Sequence, residues 1–172
     1  VDEEESLLQF EELIQCAENN RFVHYEISNF ALDGFYSKHN TSYWNQTEYL
    51  GLGPSSHSFN KTTRYWNVSD INTYLVGIAR NNILGEEEIL TQIDRFNDYI
   101  ITGLRTMWGI DKDYILKEFG EIFYFHVEKV TSKYILLAKV KNENNWVHIT
   151  KSGIFISDQI ISDYLFLNKE SE

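Results

Sequence analysis

The sequence predicts an α/β segment followed by a mainly α-helical domain. Near the N-terminus, a helical apolar repeat precedes an alternating strand pattern. After residue 84, the acidic stretch GEEEIL marks a shift in composition, and three helices with a strand pair follow it. We therefore predict two domains, residues 1–84 and residues 85–172.

The first predicted elements are an amphipathic helix over residues 2–19 and a strand over residues 22–28. In the helix, an acidic first turn suits the positive end of the helix dipole, and apolar residues recur at helical spacing (Leu7, Phe10, Ile14 and Ala17). In the strand FVHYEIS, Val23, Tyr25 and Ile27 share one face. A helix that leads into a strand through a short polar turn is typical of an α/β unit.

Further along, the pattern predicts an aromatic strand over residues 64–68 and a helix over residues 70–80. Thr91 and Asp94 form a capping-box-like start for a helix whose apolar stripe runs to Gly109. The remaining predicted elements are helices over residues 111–119 and 121–138, two strands around a polar turn at 142–145, and a last helix after Thr150. Three helices, a β-ribbon and a closing helix predict a winged-helix-like module.

Composition limits the function. A net charge of -11 disfavours nucleic-acid binding, because phosphate capture needs clustered Lys and Arg. No apolar run reaches the roughly 18 to 20 residues of a membrane span, so we expect a cytoplasmic protein. The single cysteine, Cys16, is expected to be a small buried hydrophobe. Since the chain begins at Val1 and not at Met, we expect a piece of a longer protein.

Polar residues follow the first strand. In a parallel α/β barrel, functional groups gather at the C-terminal ends of strands, where Glu26, Ser28 and Asn29 lie. They can meet a ligand there. Alternatively, they only satisfy backbone donors in the following turn.

The stretch GLGPSSHS, residues 51–58, holds the only proline of the chain beside two glycines and two serines. Gly51 and Gly53 allow close backbone approach, and Ser55 and Ser56 add hydrogen-bond donors. The pattern lacks the third glycine of a dinucleotide-binding fingerprint. It predicts either a ligand-binding turn or an ordinary tight turn.

His39 and His57 are possible metal ligands, but neither has a second ligand at the spacing of a zinc site. A single axial histidine to a haem iron needs no second protein ligand, and Tyr43, Trp44 and Trp66 can face a porphyrin. The alternative is that the histidines make structural hydrogen bonds.

Four stretches resemble one family. HYEISNFA at 24–31, S-x-HN-x-x-YW at 37–44, YLGLGPSSHS at 49–58 and GLRTMWGI at 103–110 are similar to the C-terminal half of the HemW family. These are radical S-adenosylmethionine proteins related to oxygen-independent coproporphyrinogen III oxidase. The resemblance covers nearly the whole chain in the same order.

The resemblance implies that residues 1 to about 68 form the end of a partial (β/α) radical S-adenosylmethionine barrel with its site-closing loops, followed by the winged-helix-like domain. It implies a [4Fe-4S] cluster, S-adenosylmethionine and haem in the full-length parent. The cluster needs three thiolates, and one cysteine cannot supply them, so we expect no radical catalysis by this chain alone.

The resemblance also implies site residues. His39 is expected to contact haem as an iron ligand, together with Tyr43 and Trp44. The residues expected near the S-adenosylmethionine or substrate cavity are Glu26, Ser28, Gly51, Gly53 and Ser55.

Two functions are implied for the parent. The first is a haem chaperone that binds haem and hands it to acceptor proteins. The second is a coproporphyrinogen dehydrogenase that decarboxylates propionates oxidatively, and the HN-x-x-YW element favours the first. A third class, a structural or interaction module, stays open. We also expect self-association through the edge of an incomplete barrel.

Overall fold

The computed structural model describes residues 2–167. Along this part of the chain the elements are α1 (Glu3–Asn19), β1 (Phe22–Glu26), β2 (Asn29–Leu32), α2 (Lys38–Trp44), β3 (His57–Phe59), β4 (Thr63–Asn67), α3 (Ile71–Ala79), β5 (Gly85–Ile89), α4 (Gln92–Leu104), β6 (Ile110–Asp111), α5 (Lys112–Glu118), α6 (Glu121–Leu136), β7 (Val140–Glu143), β8 (Trp146–Ile149), α7 (Lys151–Ile154) and α8 (Ser157–Tyr164). They divide into two compact units. One comprises the stretches up to Asn45 and from Phe96 onward, and the other is Gln46–Arg95.

In the first unit, α1 begins as the sequence predicts, with the Asp2 carboxylate accepting hydrogen bonds from the Glu4 and Glu5 amides. Ile14 is the buried residue of this helix, whereas Cys16 is exposed, so the expectation of a buried cysteine is wrong. Cys16 lies two positions from Ile14, and residues at that spacing do not share a helix face.

β1 pairs with β2 in an antiparallel hairpin, with Val23 opposite Ala31 and His24 opposite Phe30. The sequence predicts a parallel barrel strand here, and within residues 2–167 this pairing differs from that expectation. The reason is the two-residue turn at 27–28, which reverses the chain directly. Alternation of apolar and polar residues predicts a strand, but it does not tell whether the paired strand runs parallel or antiparallel.

The rest of the first unit surrounds an aromatic and aliphatic core. Phe96, Ile100 and Leu104, spaced four residues apart on α4, are almost fully buried. Phe96 packs on Phe123 of α6 at 4.6 Å between ring centroids, and Phe123 packs on Phe166 at 4.7 Å. The strands β6, β8 and β7 form an antiparallel sheet in that order.

The boundaries of this region follow from local chemistry. The capping box at the start of α4 is confirmed, because Asp94 accepts from the Thr91 hydroxyl at 2.7 Å and the Asp94 amide donates back to Thr91. The helix ends at Leu104 and not near Gly109. The predicted last helix is two helices, α7 and α8.

The second unit, Gln46–Arg95, is built on the antiparallel sheet β3–β4–β5. The acidic strand β5 starts at Gly85, where the sequence predicts a domain boundary, and pairs along β4 with Glu87 opposite Tyr65. Arg64 on β4 pairs with Glu88 at 3.3 Å. The helix α3 follows Asp70, whose carboxylate caps it through the Thr73 amide.

Candidate functional site

The end of β1 carries the first group of predicted site residues. Glu26 is buried, with 4% of its surface exposed, and its Oε1 accepts hydrogen bonds from the Ser28 amide at 3.1 Å and from the Asn29 side chain. Ser28 itself is exposed. The carboxylate therefore satisfies donors of the following turn, as the structural alternative predicts.

The second edge of β1 is occupied by residues from the GLRTMWGI stretch. The Ile27 amide donates to the Arg105 carbonyl at 3.0 Å, and the Met107 amide donates to the Tyr25 carbonyl at 3.0 Å. We call residues 105–108 the platform segment. Sequence reasoning missed it, because the apolar spacing predicted a continuing helix.

The platform segment also holds the stretch that precedes α2. Tyr36 packs on Tyr25 at 5.2 Å and edge-on against Trp108 at 5.7 Å between ring centroids. Its hydroxyl donates to Asp33 at 2.7 Å, and this hydrogen bond raises the pKa of Tyr36. The chain thus enters α2 from an anchored aromatic residue.

The helix α2 presents two of the predicted haem-binding residues together. It begins after Ser37, whose hydroxyl accepts from the Asn40 amide at 3.3 Å. His39 and Tyr43, one helical turn apart, meet edge to face at 5.0 Å between ring centroids. His39 is exposed and Tyr43 is 42% exposed. An imidazole held this way is accessible to a ligand.

Trp44, the third predicted haem-binding residue, lies in a different environment. Its indole is half-buried, and the guanidinium carbon of Arg105 lies 5.9 Å from the ring centroid. Arg105 Nη1 also pairs with Asp158 at 3.2 Å. The structure therefore brings His39 and Tyr43 to one exposed face of α2 and places Trp44 against the platform segment.

In the second unit, the loop GLGPSS carries Gly51, Gly53 and Ser55. A Cβ at Gly51 would lie 2.1 Å from the carbonyl oxygen of His57, so the glycine makes room for the first residue of β3. Gly53 has φ +106 and open space where a Cβ would stand. Ser55 is exposed, and its amide donates to the Val68 carbonyl at 3.1 Å.

Asn67 organises this loop from inside the second unit. It is buried, and its side-chain Nδ2 donates to the Gly53 carbonyl and to the Ser56 hydroxyl, both at 2.9 Å. The Gly53 amide donates to the Tyr74 hydroxyl at 3.1 Å. Much of the polar backbone of the loop is thus used internally, and Gly51 approaches another strand of its own unit.

A cavity of about 570 Å³ lies in the first unit, beside β1. Its lining comes from α1, β1, the platform segment, the β7–β8 pair and α7, and it includes His24, Glu26, Arg105 and His148. Of these four, the sequence indicated only Glu26. The alternation that puts His24 and Glu26 on one face of β1 was the available signal.

His24, which lines this cavity, has one ring nitrogen without a hydrogen-bond partner within residues 2–167. Its ring stacks on Phe30 at 4.2 Å, and its Nε2 lies 3.0 Å from the Ile27 carbonyl oxygen. Because a carbonyl only accepts, Nε2 carries the proton. The other ring nitrogen, Nδ1, is buried and has no hydrogen-bond partner within the described residues.

The residues of the chain do not fit a [4Fe-4S] cluster. Such a cluster is held by cysteine thiolates, and the sequence has one cysteine, exposed on α1. Within residues 2–167, no group of three or more His, Cys, Asp or Glu side chains is arranged to hold a metal ion. No reaction step through a cluster is therefore assigned to this chain.

No helix within the described range combines the length and the hydrophobicity that crossing a membrane requires.

Comparison with known proteins places these motifs in context. No family model matches the chain. It is 28% identical over 167 residues to the "Heme chaperone HemW" of Lactococcus lactis, covering 95% of this chain and 43% of that protein. The "Heme chaperone HemW" of Bacillus subtilis is 26% identical with the same two coverages. A shorter stretch of 36 residues is 53% identical to the mouse mitochondrial "Radical S-adenosyl methionine domain-containing protein 1".

The fold has a solved counterpart. The chain superimposes on coproporphyrinogen III oxidase (HemN) of Escherichia coli, described as a radical SAM enzyme, with a TM-score of 0.68. The match covers 91% of this chain and 40% of that one, at 17% identity. The chain spans less than half the length of the curated HemW relatives. It is a HemW-like sequence that corresponds to the C-terminal portion of these radical S-adenosylmethionine proteins.

Proposed function

We propose that this chain is part of a cytoplasmic haem chaperone, in which haem is the cargo and is handed on to acceptor proteins. The observation that carries the proposal is the likeness to two proteins named haem chaperone HemW over 95% of the chain. S-adenosylmethionine and the cluster would belong to the full-length parent. Within the chain, His39 would bind the haem iron.

The chemistry of α2 supports this role for His39. A neutral imidazole is a good axial ligand to haem iron, and one such bond needs no second protein ligand. His39 is exposed on a short helix, and Tyr43 stands beside it with an aromatic face for contact with a porphyrin. An exposed ligand suits a protein that must release its cargo.

The other predicted residues have supporting parts in the proposal. Trp44 would contact the haem from its half-buried position. In the first unit, Glu26 and Ser28 would lie near S-adenosylmethionine or the substrate in the parent. In the second unit, Gly51, Gly53 and Ser55 would have the same kind of role. The region from α4 to α8 would be a winged-helix-like module: its helices α4, α5 and α6 and the strand order β6–β8–β7 support that assignment.

The solved counterpart is an enzyme, coproporphyrinogen III oxidase. At 17% identity that likeness carries the fold alone, so we do not propose oxidative decarboxylation for this chain.

The proposal is tested by titrating the chain with haem and following the Soret band. We expect His39→Ala to shift the band and to weaken binding by about tenfold or more, which corresponds to about 1.4 kcal/mol or more. His57→Ala is the matched control, because His57 is also exposed but lies on β3, where its ring stacks with Trp66 at 5.9 Å. An unchanged spectrum and affinity in His39→Ala would remove His39 from this role.

A further inference from the structure

The helix α2 has few attachments of its own. It is seven residues long, and none of its residues is fully buried. Such a short helix is not stable in isolation, so its position depends on contacts at its two ends. Those contacts decide where His39 and Tyr43 stand.

Both ends of α2 are held by the platform segment. Before the helix, Tyr36 packs against Trp108. At the last helical residue, Trp44 faces the guanidinium of Arg105 at 5.9 Å from the ring centroid. The platform segment is itself fixed by the two backbone hydrogen bonds to β1. The histidine-bearing helix therefore has an aromatic contact with the platform segment at each of its ends.

We propose that Arg105 is a positioning residue for haem binding, acting through Trp44. Its backbone carbonyl accepts from Ile27, which fixes the Cα, and its side chain is 28% exposed. A planar guanidinium over an indole face is the preferred cation–π pair. This inference rests on the proposed function of His39, but the contact between Arg105 and Trp44 is observable without haem.

Arg105 has a second partner, Asp158, but this ion pair contributes little to holding the guanidinium in place. Asp158, which pairs with the guanidinium at 3.2 Å, is 90% exposed. Exposed ion pairs contribute little because water and salt screen them. The Asp158→Asn variant therefore keeps the guanidinium over Trp44 and serves as the matched control for Arg105 variants.

The test joins a structural and a functional readout on the same chain. The four tryptophans are labelled with 5-fluorotryptophan, and the ¹⁹F resonance of Trp44 is assigned with Trp44→Phe. We expect Arg105→Ala to shift the Trp44 resonance, leave the other three in place, and weaken haem binding by about three- to tenfold, the size of a cation–π contact. We expect Arg105→Lys to restore part of both, and Asp158→Asn to change neither.

The outcomes separate this inference from the proposed function. If Arg105→Ala leaves the Trp44 resonance and haem affinity unchanged while His39→Ala weakens binding, the positioning role is overturned and the chaperone proposal stands. If the Trp44 resonance moves but neither variant changes haem affinity, the contact is real and the proposed function fails. A loss of all four resonances would show general unfolding in Arg105→Ala, and Arg105→Lys then decides. A shifted Trp44 resonance with the other three in place and weakened haem binding supports the role, and a shifted Trp44 resonance with wild-type affinity overturns it.

Discussion

Replacing Gly51 by alanine tests whether the GLGPSS loop is built around its own strand. The new Cβ would lie 2.1 Å from the His57 carbonyl oxygen, whereas ordinary contact begins at 3.4 Å. The two backbones must therefore separate by a further ~1.3 Å, the difference between these distances. The displaced atoms are backbone, which a side-chain rotation cannot relieve.

The cost follows from the hydrogen bonds that this separation strains. The backbones of Tyr49 and Phe59 exchange two hydrogen bonds, at 3.0 and 2.9 Å. The Gly51 amide donates a third to the Ser58 hydroxyl at 3.0 Å. At roughly 1 kcal/mol for each bond, Gly51→Ala should destabilise the second unit by about 2–4 kcal/mol. Gly53→Ala is the matched control: open space surrounds its Cβ, so only the positive φ costs, about 1–2 kcal/mol.

Amide hydrogen exchange measures this effect where it occurs. We expect Gly51→Ala to lose protection at the Tyr49 and Phe59 amides, while Gly53→Ala keeps most of it. The ¹⁹F resonance of Trp66 in the 5-fluorotryptophan-labelled chain, followed during urea unfolding, reports the free energy of unfolding, because Trp66 lies on the neighbouring strand β4. If Gly51→Ala keeps wild-type protection and midpoint, the loop does not need the glycine for close approach of its strand, and the structural explanation of Gly51 is refuted.

Two further predictions concern stability. Hydrogen bonds from Thr91 lower the pKa of Asp94 below 3.8, the usual pKa of an aspartate. Their stabilisation is therefore present above pH 3.8 and is lost as the pH falls through the lower pKa of the folded state. Thr91→Val should lower the free energy of unfolding by about 1 kcal/mol and flatten its dependence on pH in this acid range. The Lys112 ammonium is buried against Glu128, whose own side chain is 38% exposed, so Glu128→Gln should destabilise by about 1–2 kcal/mol in urea unfolding, whereas Lys112→Met with Glu128→Gln should recover most of it. Equal stability of the single and double variants would contradict the second prediction.

Local signals predicted the elements whose stability is local. The helix α1 carries its acidic first turn and its apolar repeat in the sequence, and α4 has a capping box and a stripe through Phe96, Ile100 and Leu104. These features act within one or two helical turns. They are therefore readable before any tertiary contact is known.

The missed elements depend on partners that are distant in the sequence. The strand β5 contains three consecutive glutamates and reads as a solvated boundary, yet it pairs along β4. The helix α2 lacks an apolar stripe, and only the Ser37 cap marks its start. The stripe on α4 continues past Leu104, but the Arg105 carbonyl and the Met107 amide bond to β1 instead of to the helix.

The platform segment changes what a motif residue implies about ligand contact. HYEISNFA, HN-x-x-YW and GLRTMWGI are far apart in sequence, yet β1, α2 and the platform segment hold one another in the first unit through Tyr36, Trp44 and Arg105. A residue in these stretches can be required because it builds this arrangement. The Glu26 carboxylate is such a case: it is bonded to Ser28 and Asn29, so its removal would disturb the turn before it changed any ligand contact. Loss of haem binding in a Glu26 variant would therefore not identify a ligand contact. The same loss in His39→Ala would, because an exposed side chain on α2 can be removed without unsatisfying a buried partner.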